Sequence, residues 1–402
     1  MNAKFVSLAL GCIACSPLAA QAQLAKVTVY GSLNVDVEWI TGATCASAVS
    51  PPATSNCTGT DPASQIINPT VMRVSSNSSR LGVRGSEYLG RGQVAIFQVE
   101  SSIQGDTGNS PNSGLASRET FVGLQGDWGT FKAGKFLTPY DDMLPIFGNA
   151  PTLTTSILST AALWAQGPLP KSQGGFDARL GNSLRYETPP LNGFTAEVQF
   201  STRDSSGNAN GGDNGDHPSE MRHAKVWSVG AFYSNGPLDL GIAYEYNDQV
   251  RTADQNDHAL SIAAAYDIGS LFASPGLRIG GVYERLSYGT LAGSLTRDFW
   301  AVSATVPIGG GSLYAFWGRA SNGGGSVPDG TGVGFVVKGA DTGCDQWEIS
   351  YSYPLSLRTL LYAGYVRINN RANAAYTFNI NDYPSALGAR PTGTVFGITH
   401  FF

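Results

Sequence analysis

Charge is what this sequence has least of. Asp, Glu, Lys and Arg make up 14% of its 402 residues, where soluble globular domains carry about 25%. The formal net charge is −5, and no basic cluster is present. That argues against a nucleic-acid partner. Downstream of Gln23 no apolar run reaches the length of a transmembrane helix. Cysteine is scarce, and no Cys/His spacing fits a zinc site. The four histidines, His217, His223, His258 and His400, are scattered. Nothing implies a cofactor or a metal. Glycine, in contrast, is abundant, with 50 residues. Few charges, much glycine and no apolar run suit a β-barrel in lipid, where only alternate residues face the membrane.

The N-terminus reads as an export signal. Lys4 supplies the positive region, Phe5 to Ile13 is mostly apolar, and Ala20-Gln21-Ala22 is a small-residue cleavage site. The expected division is a signal peptide over 1–22 and a mature chain over 23–402. Removing the signal takes away Lys4 alone and moves the net charge from −5 to −6. Cys12 and Cys15 leave with it. Cys45 and Cys57 share one Pro/Ser/Thr-rich loop, and an exported chain meets an oxidising compartment. A loop disulfide between them is the preferred reading, although spacing alone does not fix pairing. Cys344 is then left over.

The mature chain opens on strict alternation. Val27, Val29, Leu33, Val35 and Val37 fall on one face; Lys26, Thr28, Tyr30, Asn34, Asp36 and Glu38 fall on the other. A period of two with one apolar and one charged face is a half-covered strand. Leu240, Ile242 and Tyr244 against Gly241, Ala243 and Glu245 repeat the pattern. Sixteen such segments can be marked out, from 26–38, 73–86 and 91–104 to 276–287, 296–307 and 392–402. Each is close to the roughly 9–11 residues that cross a bilayer when tilted. Short turns such as Gly126-Asp127 and Asn235-Gly236 alternate with long polar connections such as 39–72, 138–178 and 321–344. The fold predicted is all-β: a transmembrane antiparallel barrel of sixteen strands. Trp and Tyr at strand ends fit an interfacial aromatic belt.

One long connection holds Asp142 to Gly148, DMLPIFG: Asp142, Met143, Leu144, Pro145, Ile146, Phe147 and Gly148. A long loop with an acid, a proline and an aromatic can fold into a barrel lumen and narrow it. Arg80 shares parity with Gly82 and Arg84, opposite Leu81 and Val83, so it is expected on the lumen face. Lys132 is inward by parity with Gly134. Thr154 to Gln166 has helical composition, with Ile157, Leu158, Ala161 and Trp164 near one stripe that a short helix would bury.

Several segments resemble the general porin family of Gram-negative outer membranes. These are VTVYGSLNVDVEW (27–39), SSRLGVRGSEYLGRGQVAIFQVE (78–100), SRETFVGLQGDWGTFKAGK (117–135), DMLPIFG, LGNSLRYETPPLNGF (180–194) and the ending GITHFF (397–402). Together they run over nearly the whole mature chain. The resemblance implies a trimeric barrel with a water-filled channel in each protomer, narrowed by a third extracellular loop folded into the lumen. It carries Arg80, Arg118 and Arg179 over as a basic wall, Asp142 as an acidic loop position facing them, and Glu100 as a lumen carboxylate. Phe402 looks like the terminal signal read by the barrel-insertion machinery. Members with more acid in the loop carry it where this chain has Ile146 and Ala150, and a first-strand lysine is here Ser32. Two acids lost against one base lost predicts mild anion selectivity.

The function expected is passive diffusion of ions and small hydrophilic solutes through the outer membrane. The expected partners are two further copies of the chain, outer-membrane lipids and lipopolysaccharide. A plugged barrel acting as an adhesin or scaffold is the second reading. An outer-membrane hydrolase is a third: His217-Pro218-Ser219-Glu220 has suitable residue types but no recognisable catalytic arrangement. The acidic glycine-rich segment 211–216 is read as a flexible loop in preference to a calcium site.

Overall fold

A computed structural model describes residues 26–45, 66–108, 115–149, 152, 157–166, 175–202, 224–251, 254–269, 276–378, 383 and 385–402. The expected signal peptide, Cys57, His217, His223, Ala150 and the segment 211–216 lie outside these residues. So does the test of a Cys45–Cys57 bridge.

The strands are β1 (Lys26–Thr41), β2 (Thr70–Ser76 and Arg80–Gly90), β3 (Gln93–Ser102), β4 (Thr120–Gly126), β5 (Gly129–Leu137), β6 (Arg179–Glu187), β7 (Phe194–Ser201), β8 (Lys225–Asn235), β9 (Leu238–Asp248), β10 (Asn256–Asp267), β11 (Arg278–Thr290), β12 (Gly293–Ile308), β13 (Gly311–Ala320), β14 (Cys344–Pro354), β15 (Thr359–Asn370) and β16 (Thr392–Phe401). Each pairs antiparallel with its sequence neighbours, and β1 pairs with β16 to close the ring. The closing register runs from Ser32 opposite Phe401 to Thr41 opposite Thr392. Gly31 and Phe402 exchange both backbone hydrogen bonds at 3.1 Å. The result is a closed antiparallel barrel of sixteen strands, as the alternation predicts.

The two faces separate as the sequence pattern requires. On β1, Val29 is 63% exposed and Leu33 41%, while Ser32, Asn34, Asp36 and Glu38 are at most 4% exposed. Apolar side chains are therefore on the exposed face, and polar ones are on the covered face. Trp128 stacks on Tyr186 at the short-turn end. There Gly309 and Gly310 both take positive φ, 60° and 82°, which a two-residue turn with the twist of the flanking strands demands.

Three details depart from the sequence reading. The second strand is not continuous over 73–86. Val35 faces Ser76 while Ser32 faces Arg80, which leaves one extra residue on β2. Ser78 takes φ 52°, and the Ser79 hydroxyl donates to the Asn34 carbonyl at 3.1 Å. A β-bulge of this kind keeps both halves in register with one long partner. Next, β11 and β12 extend until they meet at a two-residue turn, Leu291-Ala292, on the long-loop side. Connection length therefore does not alternate throughout. Finally, only one turn of 3-10 helix, Thr160–Ala162, forms within the described part of Thr154 to Gln166. Its stripe of Ile157, Leu158, Ala161 and Trp164 is nevertheless buried.

The 138–178 connection leaves β5 and returns at β6, yet it packs on distant strands. It touches the polar, covered face, where glycine admits it. A Cβ at Gly241 on β9 would lie 2.6 Å from Ile146 Cδ1 and 2.8 Å from Met143 Sδ. A Cβ at Gly364 on β15 would lie 2.8 Å from Leu158 Cδ1. Gly241→Val should therefore overpack this contact and cost about 1–3 kcal/mol. Denaturant unfolding of the detergent-solubilised barrel measures it, with the outward-facing Ile242→Val as the reference expected to change little.

Candidate functional site

Alternation along β2 and β3 brings Arg80 and Glu100 to one face, and the chain entering β4 adds Arg118. Arg118 Nε meets Glu100 Oε1 at 2.6 Å, and Arg80 Nε lies 3.6 Å from Glu100 Oε2. The Tyr30 hydroxyl donates to the same Oε2 at 2.9 Å. The Arg118 backbone N–H donates to the Glu100 carbonyl at 3.0 Å, which fixes the approach. Two guanidinium groups thus share one carboxylate. Guanidinium remains charged even beside a like charge, so this knot carries surplus positive charge.

Asp142 is not in it. Its Oδ2 sits 2.6 Å from an Nη atom of Arg185, on β6. Arg185 also meets Glu187 at 2.9 Å and Glu197 on β7, and it donates to the Leu137 carbonyl at 3.1 Å. The same Glu187 oxygen, Oε1, also takes Lys132. The Lys132 ammonium lies 5.3 Å and 5.4 Å from the ring centres of Phe121 and Phe136. The second cluster is therefore Lys132, Glu187, Arg185, Glu197 and Asp142. The expectation that Asp142 faces Arg80, Arg118 and Arg179 is corrected: its direct partner is Arg185.

Arg185 is the residue the sequence reading missed. It follows Arg179 at even spacing in ARLGNSLRYE, and Glu187 extends the row, so plain alternation would have found both. The same alternation fails at Arg179. Gly134 faces Ser183 but Phe136 faces Leu180, a slip of one residue, and Asn182 takes φ 50°. Leu180 thereby joins the Phe136 face, and Arg179 stands opposite Leu137. It remains within electrostatic range of Arg118 and Asp141.

The loop is held by a knot of its own. Glu284 on β11 and Arg297 on β12 pair at 2.7 Å with both side chains fully buried. Glu284 Oε1 also accepts from the Tyr140 hydroxyl at 2.8 Å and from the Ala165 N–H at 2.7 Å. One carboxylate thus ties both arms of the loop to the wall. Tyr140 stacks on Trp164 with ring centres 5.2 Å apart, and Trp164 Nε1 donates to Ser261 on β10 at 3.2 Å. The Tyr314 hydroxyl on β13 donates to the Phe147 carbonyl at 2.9 Å. Arg278 on β11 donates to the Ile146 carbonyl at 3.3 Å. Phe147 and Met143 are buried, while Pro145 is exposed. In the loop, burial pushes the Asp141 carboxyl well above the usual carboxylate range. Asp177 and Asp142 add to that rise, and Arg179 opposes it.

The remaining sequence candidates fall elsewhere. Cys344 is buried with a free thiol. A ring nitrogen of His400 and the Thr359 hydroxyl are 2.9 Å apart, and His258 lies beside the Tyr244 ring. Neither forms a triad among the described residues.

A ring of tilted antiparallel strands, apolar outside and charged within, defines an outer-membrane channel barrel. The Gram-negative porin family model matches residues 7–373, and the chain belongs to that family. Outer membrane porin protein 32 of Delftia acidovorans is 26% identical over 352 residues, covering 81% of this chain and 85% of that one. The major outer membrane protein P.IB of Neisseria sicca is 28% identical, covering 72% and 82%. Among solved structures, the anion-selective porin from Comamonas acidovorans superposes with a TM-score of 0.68 at 21% identity, covering 94% of this chain and all of that one. OmpT of Vibrio cholerae in a trimer form superposes at 0.60 with 14% identity. The protein is an outer-membrane porin, and its barrel forms a channel.

Two outcomes follow. Glu284→Ala leaves Arg297 buried without its carboxylate and should cost about 3–5 kcal/mol, read as a fall in the denaturant midpoint. For Asp141, the raised folded-state value means that the folded protein binds more protons than the unfolded chain above the unfolded carboxylate range. Stability should therefore fall as pH rises from that range through the folded value. Asp141→Asn should flatten this decline in a pH series of thermal melts.

Proposed function

We propose that the 138–178 loop crosses the lumen as the constriction and that solutes pass between it and the charged wall of β2–β7. One observation carries this: a segment that starts at β5 and ends at β6 makes its contacts on the covered face of β9, β10, β11, β13, β14 and β15. In a closed barrel that face is the lumen. Arg80, Arg118, Arg179 and Lys132 supply the basic groups of the passage and Glu100 and Asp142 acidic ones, interleaved with them in two clusters, and Arg185 holds Asp142.

The passage is mildly anion-selective. Arg185 engages Asp142, and Arg80 and Arg118 meet one carboxylate directly, Glu100, with Glu119 acting on Arg80 through space; Ile146 and Ala150 stand where more acidic loops carry acids, which tips the balance toward anions. Rows of fixed charge in a narrow aqueous passage set such preferences. Transport is passive diffusion filtered by size and charge, with no chemical step and no cofactor. The assembly is a homotrimer; large apolar side chains such as Val27, Val29 and Leu33 stand exposed on the outer face of β1, suited to a neighbouring copy. Phe402, bonded to Gly31 at the closure, serves as the assembly signal. Outer-membrane lipid and lipopolysaccharide cover the remaining outer face.

Planar-bilayer reversal potentials in a salt gradient test the reading. Anion preference is expected. Arg118→Ala should shift the permeability ratio toward cations by about twofold, most strongly at low salt. A clear cation preference in the unsubstituted protein overturns the selectivity, and absence of conductance from folded trimers points to the plugged scaffold.

A further inference from the structure

The outer face of β11–β15 carries a three-tier pattern near the long-loop end. Each of the five strands places a charged residue highest: Arg285, Asp298, Arg319, Asp345 and Arg367. Two residues lower on each strand, and so on the same face, stands an aromatic ring: Tyr283, Trp300, Trp317, Trp347 and Tyr365. Below these come aliphatic side chains such as Val302, 49% exposed, and Ile349, 45% exposed. The register aligns the tiers between strands: Arg285 faces Asp298, Arg319 faces Asp345, and Trp317 faces Trp347. The ring centres of Trp300 and Trp317 are 4.5 Å apart, and those of Trp347 and Tyr365 5.1 Å. Charge above aromatic above aliphatic is the order in which a membrane surface gives way to hydrocarbon.

The upper tier does not close into neutral pairs. Arg285 meets Asp298 at 3.1 Å and Arg319 meets Asp345 at 3.5 Å, yet the two arginine side chains stay 53% and 39% exposed. Arg367 donates from Nε to Asn369 Oδ1 at 2.7 Å, and no carboxylate pairs with it among the described residues. Arg371, just past β15, and Arg390, just before β16, are exposed and add two guanidinium groups, while the exposed Asp341 adds one acid. Five arginines against three acids leave the band positive. Guanidinium forks bind phosphate oxygens in pairs. Arg319 and Arg367 are separated by one strand, about 10 Å across the sheet, so they can reach two phosphates of one headgroup. Long loops face the cell exterior in barrels of this class, which places the band in the outer leaflet. We propose that it binds the phosphorylated sugar headgroup of lipopolysaccharide, with the phosphates on Arg319 and Arg367 and the acyl chains against the aromatic tier. This rests on the reading that lipopolysaccharide covers the outer face away from the β1 contact, and it assigns that face to β11–β15.

Native mass spectrometry of the full-length porin, refolded without lipid in neutral detergent, tests this. The probes are lipid A, the membrane anchor of lipopolysaccharide, carrying two phosphates, and the same lipid with both removed. The phosphorylated lipid should bind about tenfold more tightly. Arg319→Gln combined with Arg367→Gln should abolish that preference, whereas Arg358→Gln, exposed at the short-turn end, should keep it. Equal binding of the two lipids overturns the site alone, and binding of neither overturns the lipopolysaccharide cover with it. Full preference in the double variant also overturns the proposal, as does an equal loss in Arg358→Gln. Inorganic phosphate should not displace the lipid; displacement makes this a free-phosphate site and overturns the proposal as well. Should the double variant fail to fold, Arg367→Gln alone should weaken the preference, and an unchanged preference there overturns the proposal equally. The readout is lipid held on the outer face, so its failure leaves conductance and ion selectivity untouched.

Discussion

Backbone hydrogen bonding without water is the constraint on which this molecule rests. Inside hydrocarbon an unpaired N–H or C=O costs several kcal/mol, so a sheet that spans a membrane has to close. Closure here depends on β1 and β16, the two strands most distant in sequence, meeting from Ser32–Phe401 to Thr41–Thr392. The Gly31–Phe402 exchange completes the seam at the short-turn end. Everything else is arranged within the closed ring. Because β1 is sixteen residues long and β2 comes in two pieces, a bulge at Asn77 to Ser79 is needed to keep both pieces paired to one strand. The barrel accepts a local irregularity to avoid an unpaired edge.

Inside that ring, charge is disposed in small groups in which each ion meets several partners. Arg185 gathers three carboxylates from the loop, its own strand and β7. Glu100 gathers two guanidinium groups, and Glu284 gathers one guanidinium together with a hydroxyl and a backbone N–H. The low charge content of the chain is therefore no obstacle to a charged interior. Few groups suffice when each contacts several others.

How much of this could be read from sequence depended on period. Strand alternation is a local rule, so the barrel, its strand number and the shared face of Arg80 and Glu100 were legible. Arg185 was legible too, since it keeps step with Lys132 across β5 and β6, but attention to the family arginines passed over it. The break at Arg179 was not legible: a one-residue slip near Asn182 has no period, and asparagine at positive φ is only mildly favoured. Nor was the choice of Arg185 over Arg118 as the partner of Asp142, because it depends on where a forty-residue connection lands. That landing is set by glycines on β9 and β15 and by Glu284 on β11, residues far from the loop in sequence.

The one-sided docking of the loop gives this barrel two regimes of substitution. On β9–β15 the covered face is set by volume around the buried Glu284–Arg297 pair: Gly241, Gly364 and Tyr314 fit particular loop atoms, and a larger or smaller side chain meets the rules of a protein core. On β2–β7 the covered face is governed by charge, and a change of shape that preserves the ion pairs should be tolerated. A drift in permeation properties would therefore accumulate on one arc of the wall while the opposite arc stays fixed. The channel could be retuned for new solutes without renegotiating the packing that holds the loop in place.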